Sequence, residues 1–210
     1  MTAALINKKW TLGSRPQTTV SKEHFNFETE TVRDLADGEF LVKNQYLSFE
    51  PAQRGWLNDV RSYVPPVAIG EVMRSVAAGE VIASKHADYQ IGDRVQGGFG
   101  WQEYAISDGS GLFPVTKVPG DMPLSYPLHI YGLTGLTAYF GLLDIGQPKA
   151  GETVLISGAA GATGSTVGQI AKLKGCRVIG IAGGRAKCQW LIDELGYDAV
   201  IDYKSESVDE

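Results

Sequence analysis

Residues 153–184 read TVLISGAAGATGSTVGQIAKLKGCRVIGIAGG, and the fold is decided there. Thr153 to Ser157 is a short apolar run, of a length and β-branched content suited to a buried strand. Glycines follow it, and Ala162 to Lys174 then has the pattern of a helix. Downstream, Arg177 to Ala182 (RVIGIA) reads as a second strand, Ala186 to Leu195 as a second helix and Ala199 to Tyr203 (AVIDY) as a third strand. Strand, helix, strand, helix, strand is the order of a parallel sheet with helical crossovers, the α/β class.

The turn between the first strand and its helix is Ser157-Gly158-Ala159-Ala160-Gly161-Ala162-Thr163-Gly164. At such a place free amide N–H groups and the helix dipole both point at an anion, and a pyrophosphate is the anion that fits. Gly161 would let the backbone approach that group, while Gly164 and Gly168 would let the helix lie close to the sheet. Ala159 stands where the first glycine of GxGxxG is usual, so the motif is AxGxxG. Glycine-rich turns often bind nothing; the strand before and the helix after are what favour binding.

A site for NAD usually carries Asp or Glu at the end of the second strand, about 20 residues past the glycines, to accept from the ribose hydroxyls. This chain instead runs Ala182-Gly183-Gly184-Arg185-Ala186-Lys187, with no carboxylate and two cations. A 2′-phosphate fits that chemistry, so the expected cofactor is NADP(H). The alternative, that Arg185 and Lys187 are solvated charges, has to accept cations at a helix start, where the dipole opposes them. A doubly wound dinucleotide domain has about six strands, and three are seen up to Tyr203. The expectation is therefore a domain truncated at its C-terminal end, with the outer flank of its first strand uncovered and prone to self-association.

Upstream, to about Pro119, the chain reads as short β segments broken by Gly, Pro and Asp. Phe40 to Phe49 is one strand, Glu71 to Ala83 a pair of short strands around Gly79, and Asp93 to Ile106 two more about a glycine-rich turn. Strands at this spacing predict a small irregular barrel. Residues 126–143 (YPLHIYGLTGLTAYFGLL) are apolar nearly throughout and predict a buried helix or helix pair with glycine breaks. The boundary between the two parts falls near 119–130. Lys8-Lys9, the longest basic run, reads as a solvated strand end.

A net charge of −5 offers no general attraction for nucleic acid or acidic membranes. Cys176 and Cys188 lack CxxC spacing and read as reduced thiols. Neither a membrane span nor a signal-peptide core is recognised, so a cytoplasmic location is expected.

The stretches YLSFEPAQRGW (46–56), SYVPPVAIGEVM (62–73), GDRVQGGFGWQEYA (92–105), the long block 132–184 and KCQWLIDELGYDAVIDYK (187–204) resemble one family. It is the leukotriene B4 dehydrogenase/prostaglandin reductase branch of the zinc-independent medium-chain reductases, which also holds curcumin and 2-alkenal reductases. The resemblance implies a GroES-like β-barrel on the substrate side (residues 1–125) and a Rossmann-type NADP-binding domain (126–210, first half only). It implies that Gly161, Ala162, Thr163 and Gly164 hold the pyrophosphate. Gly183, Lys187 and Tyr203 would meet the 2′-phosphate end, Thr137 would lie near the nicotinamide, and Tyr63 would line the substrate pocket. A half-buried barrel tyrosine is the alternative for Tyr63. Ala52, Gln53, Leu133 and Thr134 depart from a tyrosine, two methionines and a proline in many relatives, which leaves substrate preference open.

Alcohol-dehydrogenase cousins use a Cys/His/carboxylate zinc set. Here Tyr46 to Arg54 holds no cysteine, Gly70-Glu71-Val72 holds no histidine, and His24, His86 and His129 lack ligand spacing, so no metal is expected. The implied reaction is reduction of the C=C bond of an α,β-unsaturated ketone or aldehyde by hydride from NADPH. The substrate is a small enone or enal, and a homodimer is the expected full-length assembly. No proton donor is identified in these residues. Quinone reduction, or a non-catalytic nucleotide- or partner-binding role, are the alternatives.

Overall fold

The computed structural model describes residues 4–208. Met1 to Ala3, and Asp209 and Glu210 at the end of the chain, lie outside them. Two compact units meet in sequence at Leu128/His129.

The first unit is antiparallel. Strands β1 (Ile6–Leu12) and β2 (Phe25–Thr31) form a ribbon, with Ile6 opposite Thr31 and Leu12 opposite Phe25. Next come β3 (Phe40–Leu47), the short helix α1 (Pro51–Trp56), β4 (Ala77–Ser84), β5 (Arg94–Gly97), β6 (Tyr104–Ser107) and β7 (Thr116–Lys117). Their sheet has the order β6-β3-β4-β5-β7. Backbone bonds from Trp10 N–H to Trp101 O (2.9 Å) and from Met73 N–H to Trp10 O (2.8 Å) tie the ribbon to loops of the sheet. Phe40, Val42, Val81, Val95, Phe99 and Ala105 form one apolar cluster; Leu12, Trp56, Leu57, Val67 and Met73 form another.

Two sequence expectations change here. Glu71 to Ala83 is not a pair of strands turning at Gly79, because β4 runs straight through that residue. A Cβ on Gly79 would land on the Lys43 carbonyl oxygen, beside a bulge in β3 between Asn44 and Tyr46. The glycine marks a close approach of backbones rather than a turn. Val72 instead bridges to Thr11 of β1. Lys8 and Lys9 lie inside β1, not at its end, and Lys9 is largely covered through its ion pair with Glu30 (2.7 Å).

The second unit begins with α2 (Leu133–Phe140), which passes without a break at Gly141 into a π-helical turn, Gly141–Gly146. It is not the buried helix the composition predicts. Only Gly135 and Ala138 of α2 are buried, and Leu133, Leu136, Tyr139, Phe140 and Ile145 are exposed. Small residues three apart make the face that packs on a neighbouring helix, so the large ones point elsewhere. The helical run ends where Gln147 adopts a left-handed conformation (φ 46°).

Strand β8 (Thr153–Ile156), helix α3 (Ala162–Leu173), strand β9 (Arg177–Ala182), helix α4 (Arg185–Asp193) and strand β10 (Ala199–Asp202) follow, within a residue or two of the predicted bounds. The sheet is parallel with order β10-β9-β8, and α2 packs on α3. Order 3-2-1 is that of one half of a doubly wound sheet. Ile156, Ala159, Ala171, Val178, Ala182, Leu191 and Tyr197 make the core. Cys176 and Cys188 are buried free thiols in it.

Tyr197, just ahead of β10, locks this unit. Cβ atoms added at Gly168 of α3 or at Gly180 of β9 would both strike its ring. Its hydroxyl donates to the Gly164 carbonyl in the first turn of α3 (2.9 Å). Burial pushes this phenol up to about 12 from its ordinary 10.0.

Three substitutions test this packing. Gly79→Ala overpacks the sheet and should cost about 1–3 kcal/mol in denaturant unfolding. Gly55→Ala, in α1 with open space around it, should be neutral or slightly stabilising. Tyr197→Phe should cost about 1 kcal/mol for the lost hydrogen bond. The Tyr197 phenol ionises at a lower pH unfolded than folded, so its contribution is complete below pH 10 and is lost as pH rises toward 12. The stability gap between parent and Tyr197→Phe, followed by denaturation at several pH values, should change over that window.

Candidate functional site

Because β8, β9 and β10 are parallel, the loops that leave their C-terminal ends lie along one edge of the sheet. Ligands of open α/β sheets bind outside that edge. Two loops there, the first turns of the helices they lead into and the residue after β10 hold all but two of the candidate residues.

The first loop joins β8 to α3. Gly158 takes the left-handed conformation the turn needs (φ 58°), so Ala159 is free to carry a side chain. Its methyl is buried against Gly180, and its N–H bonds Ile181 O of β9 (3.0 Å). That explains AxGxxG: the left-handed position is one residue earlier than the alanine. Gly161 is the N-cap of α3, and no side chain caps the helix. Ser165 N–H makes the first intrahelical bond, to Gly161 O (2.9 Å). The amides of Ala162, Thr163 and Gly164 therefore precede the helical ladder and face the loop end. Gly164 packs on the turn, since an added Cβ would meet Gly158 O at 2.5 Å, and Gly168 packs on Tyr197. The nearest neighbours of the two glycines are the turn and the Tyr197 ring, and Gly180, within β9, leaves room for the same ring and for the Ala159 methyl.

The second loop joins β9 to α4. Tyr203, 57% exposed, lies against Gly183, where an added Cβ would come within 2.5 Å of the hydroxyl. Lys187 is in the first turn of α4, its N–H on Gly184 O (3.0 Å). The side chains of Arg185, Lys187 and Lys204 are exposed and make no ion pair among the described residues. Gly183, Lys187 and Tyr203 are thus brought together around one loop. One acid also stands there that the sequence did not place at this loop. Asp202 Oδ1 accepts from Gly184 N–H (2.8 Å) and Lys204 N–H (3.1 Å). The Gly184 amide is the main reason its carboxyl lies below the usual range.

Thr137 is exposed on α2, away from either loop in sequence. Tyr63 belongs to the first unit, in the loop after α1. It is 78% exposed, not half-buried, and its hydroxyl accepts from Trp56 Nε1 (3.3 Å). Gln53 is buried: Nε2 donates to Ser48 O (2.9 Å) while Oε1 accepts from Glu50 N–H (3.4 Å), closing the start of α1. His24 bonds Ser21, and His86 Nδ1 accepts from Asp88 N–H. Among the described residues no three His, Cys, Asp or Glu side chains gather as a metal would need, and no helix is long and apolar enough to cross a membrane.

Known proteins share this arrangement. The NADPH-dependent curcumin reductase of Escherichia coli (strain K12) is 46% identical over 206 residues, covering 97% of this chain and 59% of its own length. Prostaglandin reductase 1 of Bos taurus is 40% identical over 199 residues, covering 94% and 58%. The crystal structure of CurA in complex with NADPH from Vibrio vulnificus superposes with a TM-score of 0.87 at 47% identity, covering 94% of this chain and 58% of that one. The chain thus spans a little under three fifths of the length of these relatives. With them, the barrel and the parallel sheet are those of a GroES-like domain followed by a Rossmann-type domain. A family described as the N-terminal domain of oxidoreductase matches residues 8–115, more than half of the 210. The chain belongs to this oxidoreductase family, in the medium-chain reductase branch that holds the curcumin and prostaglandin reductases.

Proposed function

We propose that the protein reduces the C=C bond of α,β-unsaturated ketones or aldehydes with NADPH. The observation that carries the nucleotide half of this reading is the pair of loops at one sheet edge. One presents uncapped amides at Ala162, Thr163 and Gly164; the other presents Lys187 and Tyr203 around Gly183. The residues fit the dinucleotide. The amides would hold the pyrophosphate with the α3 dipole behind them. Lys187 and Tyr203 would meet the 2′-phosphate, the lysine as a point charge and the phenol as a hydrogen-bond donor. Residues 126–210 then serve as the nucleotide domain, with Thr137 toward the nicotinamide, and residues 1–125 as the substrate side, with Tyr63 lining the pocket. When bound, NADPH supplies the hydride. The relatives named as NADPH-dependent curcumin reductase and prostaglandin reductase support the substrate class. In an enone the substrate's own carbonyl takes up the charge that develops, so hydrogen bonds to that oxygen are what the protein has to provide. Cytoplasmic action as a homodimer completes the proposal.

The test is cofactor discrimination followed by product identity. NADPH should bind this chain more tightly than NADH, and Lys187→Ala should erase most of the difference. A charge-assisted contact of this kind is worth about ten- to a hundredfold. In turnover with a simple enone the product should be the saturated ketone by mass. Equal affinity for both cofactors in the parent, or reduction at the carbonyl instead, would overturn the reading.

A further inference from the structure

An acid beside a phosphate site looks misplaced, and the geometry at Asp202 explains what it does there. Gly184 is at once the N-cap of α4 and a left-handed residue (φ 99°), so the direction in which α4 leaves the sheet is set by how its amide is held. In the structure that amide is held by Asp202 Oδ1 at 2.8 Å. The same oxygen accepts from Lys204 N–H at 3.1 Å, bending the chain directly after β10. Between these two bonds sits Tyr203, whose N–H bonds Ala182 O (3.2 Å) and whose ring rests on Gly183. Asp202 is also paired in register with Ala182, the last residue of β9. One carboxylate oxygen thus joins the loop that leads into the α4 turn of Lys187 to the segment that carries Tyr203.

We propose that Asp202 is the positioning residue for recognition of the adenosine 2′-phosphate, acting as an acceptor clamp between Gly184 and Lys204 rather than by touching the nucleotide. This rests on the NADP(H) reading above. The charge is not what the clamp uses, because a negative group beside a phosphate repels it. What matters is an oxygen at that distance from the strand, with its lone pairs given to two amides. The charges of Arg185, Lys187 and Lys204, none of them in an ion pair among the described residues, then remain available to an anion.

The two properties separate by substitution. Asp202→Asn keeps an acceptor oxygen in place and removes the charge. Asp202→Glu keeps the charge and moves the oxygen by one methylene. The probes are 2′,5′-ADP and 5′-AMP, titrated calorimetrically into the chain, with circular dichroism confirming the fold and amide hydrogen exchange followed at Gly184. In Asp202→Asn the preference for 2′,5′-ADP should stay within about threefold of the parent, with Gly184 still protected. In Asp202→Glu it should fall by about tenfold, the scale of one displaced hydrogen-bonded contact, with 5′-AMP binding changed far less and Gly184 exchanging faster. If the glutamate variant does not fold, the asparagine variant decides alone: a kept preference with a protected Gly184 supports the clamp. Loss of preference in Asp202→Asn, or full preference in Asp202→Glu, overturns it. A parent that binds both probes equally would overturn the NADP(H) reading as well, whereas a discriminating parent with a failed asparagine rescue overturns the clamp only.

Discussion

Tyr197 occupies space that exists only because residues 168 and 180 have no side chains, and the second unit is organised around that fit. Its ring lies between α3 and β9, and its hydroxyl bonds the first turn of α3 at Gly164 O. The position of the helix N-terminus is thereby set by the core, and its first amides have no capping side chain among the described residues. Interiors are close-packed, so a ring of this size admits one arrangement of the elements around it. An anion site made of backbone amides needs that rigidity, since its donors cannot be re-aimed by side-chain rotation.

The second loop solves the same problem differently. Gly184 is held by the hydrogen bond from its N–H to Asp202 Oδ1, and the Tyr203 ring rests on Gly183. The last strand of the sheet therefore shapes the end of the strand before it. That coupling is a property of parallel order, in which neighbouring strands end at the same edge. It also explains how a carboxylate and three cations share a small surface: the acid's Oδ1 is given to backbone amides, while no ion pair among the described residues engages the cations.

In the first unit the comparable constraint is steric. β3 and β4 approach so closely at Gly79 that any side chain would meet the Lys43 carbonyl. The bulge in β3 beside it bends the strand, and Phe40 and Val42 of β3 pack with Val81 of β4 in one apolar cluster. The helical Gln53 and the loop residue Tyr63 follow from this frame. Gln53 is drawn inward to cap α1, and Tyr63 is left exposed with its hydroxyl on Trp56.

The strands and helices from Thr153 to Asp202, the glycine turn and the missing carboxylate at the end of β9 were legible from residue order alone. Each depends on local periodicity or on a residue type at a set distance from its neighbours, and such information is written along the chain. The roles of Gly79, Gly164 and Gly168 were not, because a glycine announces that space is needed without naming what fills it. The apolar run at 126–143 misled for a related reason: composition reports how many large side chains a helix has, not which stripe its neighbour uses. Asp202 was readable as the last acid of a strand, but its partner Gly184 lies 18 residues earlier. Only the folding of β10 against β9 brings that carboxylate to the loop, where hydrogen-bond distance decides its role.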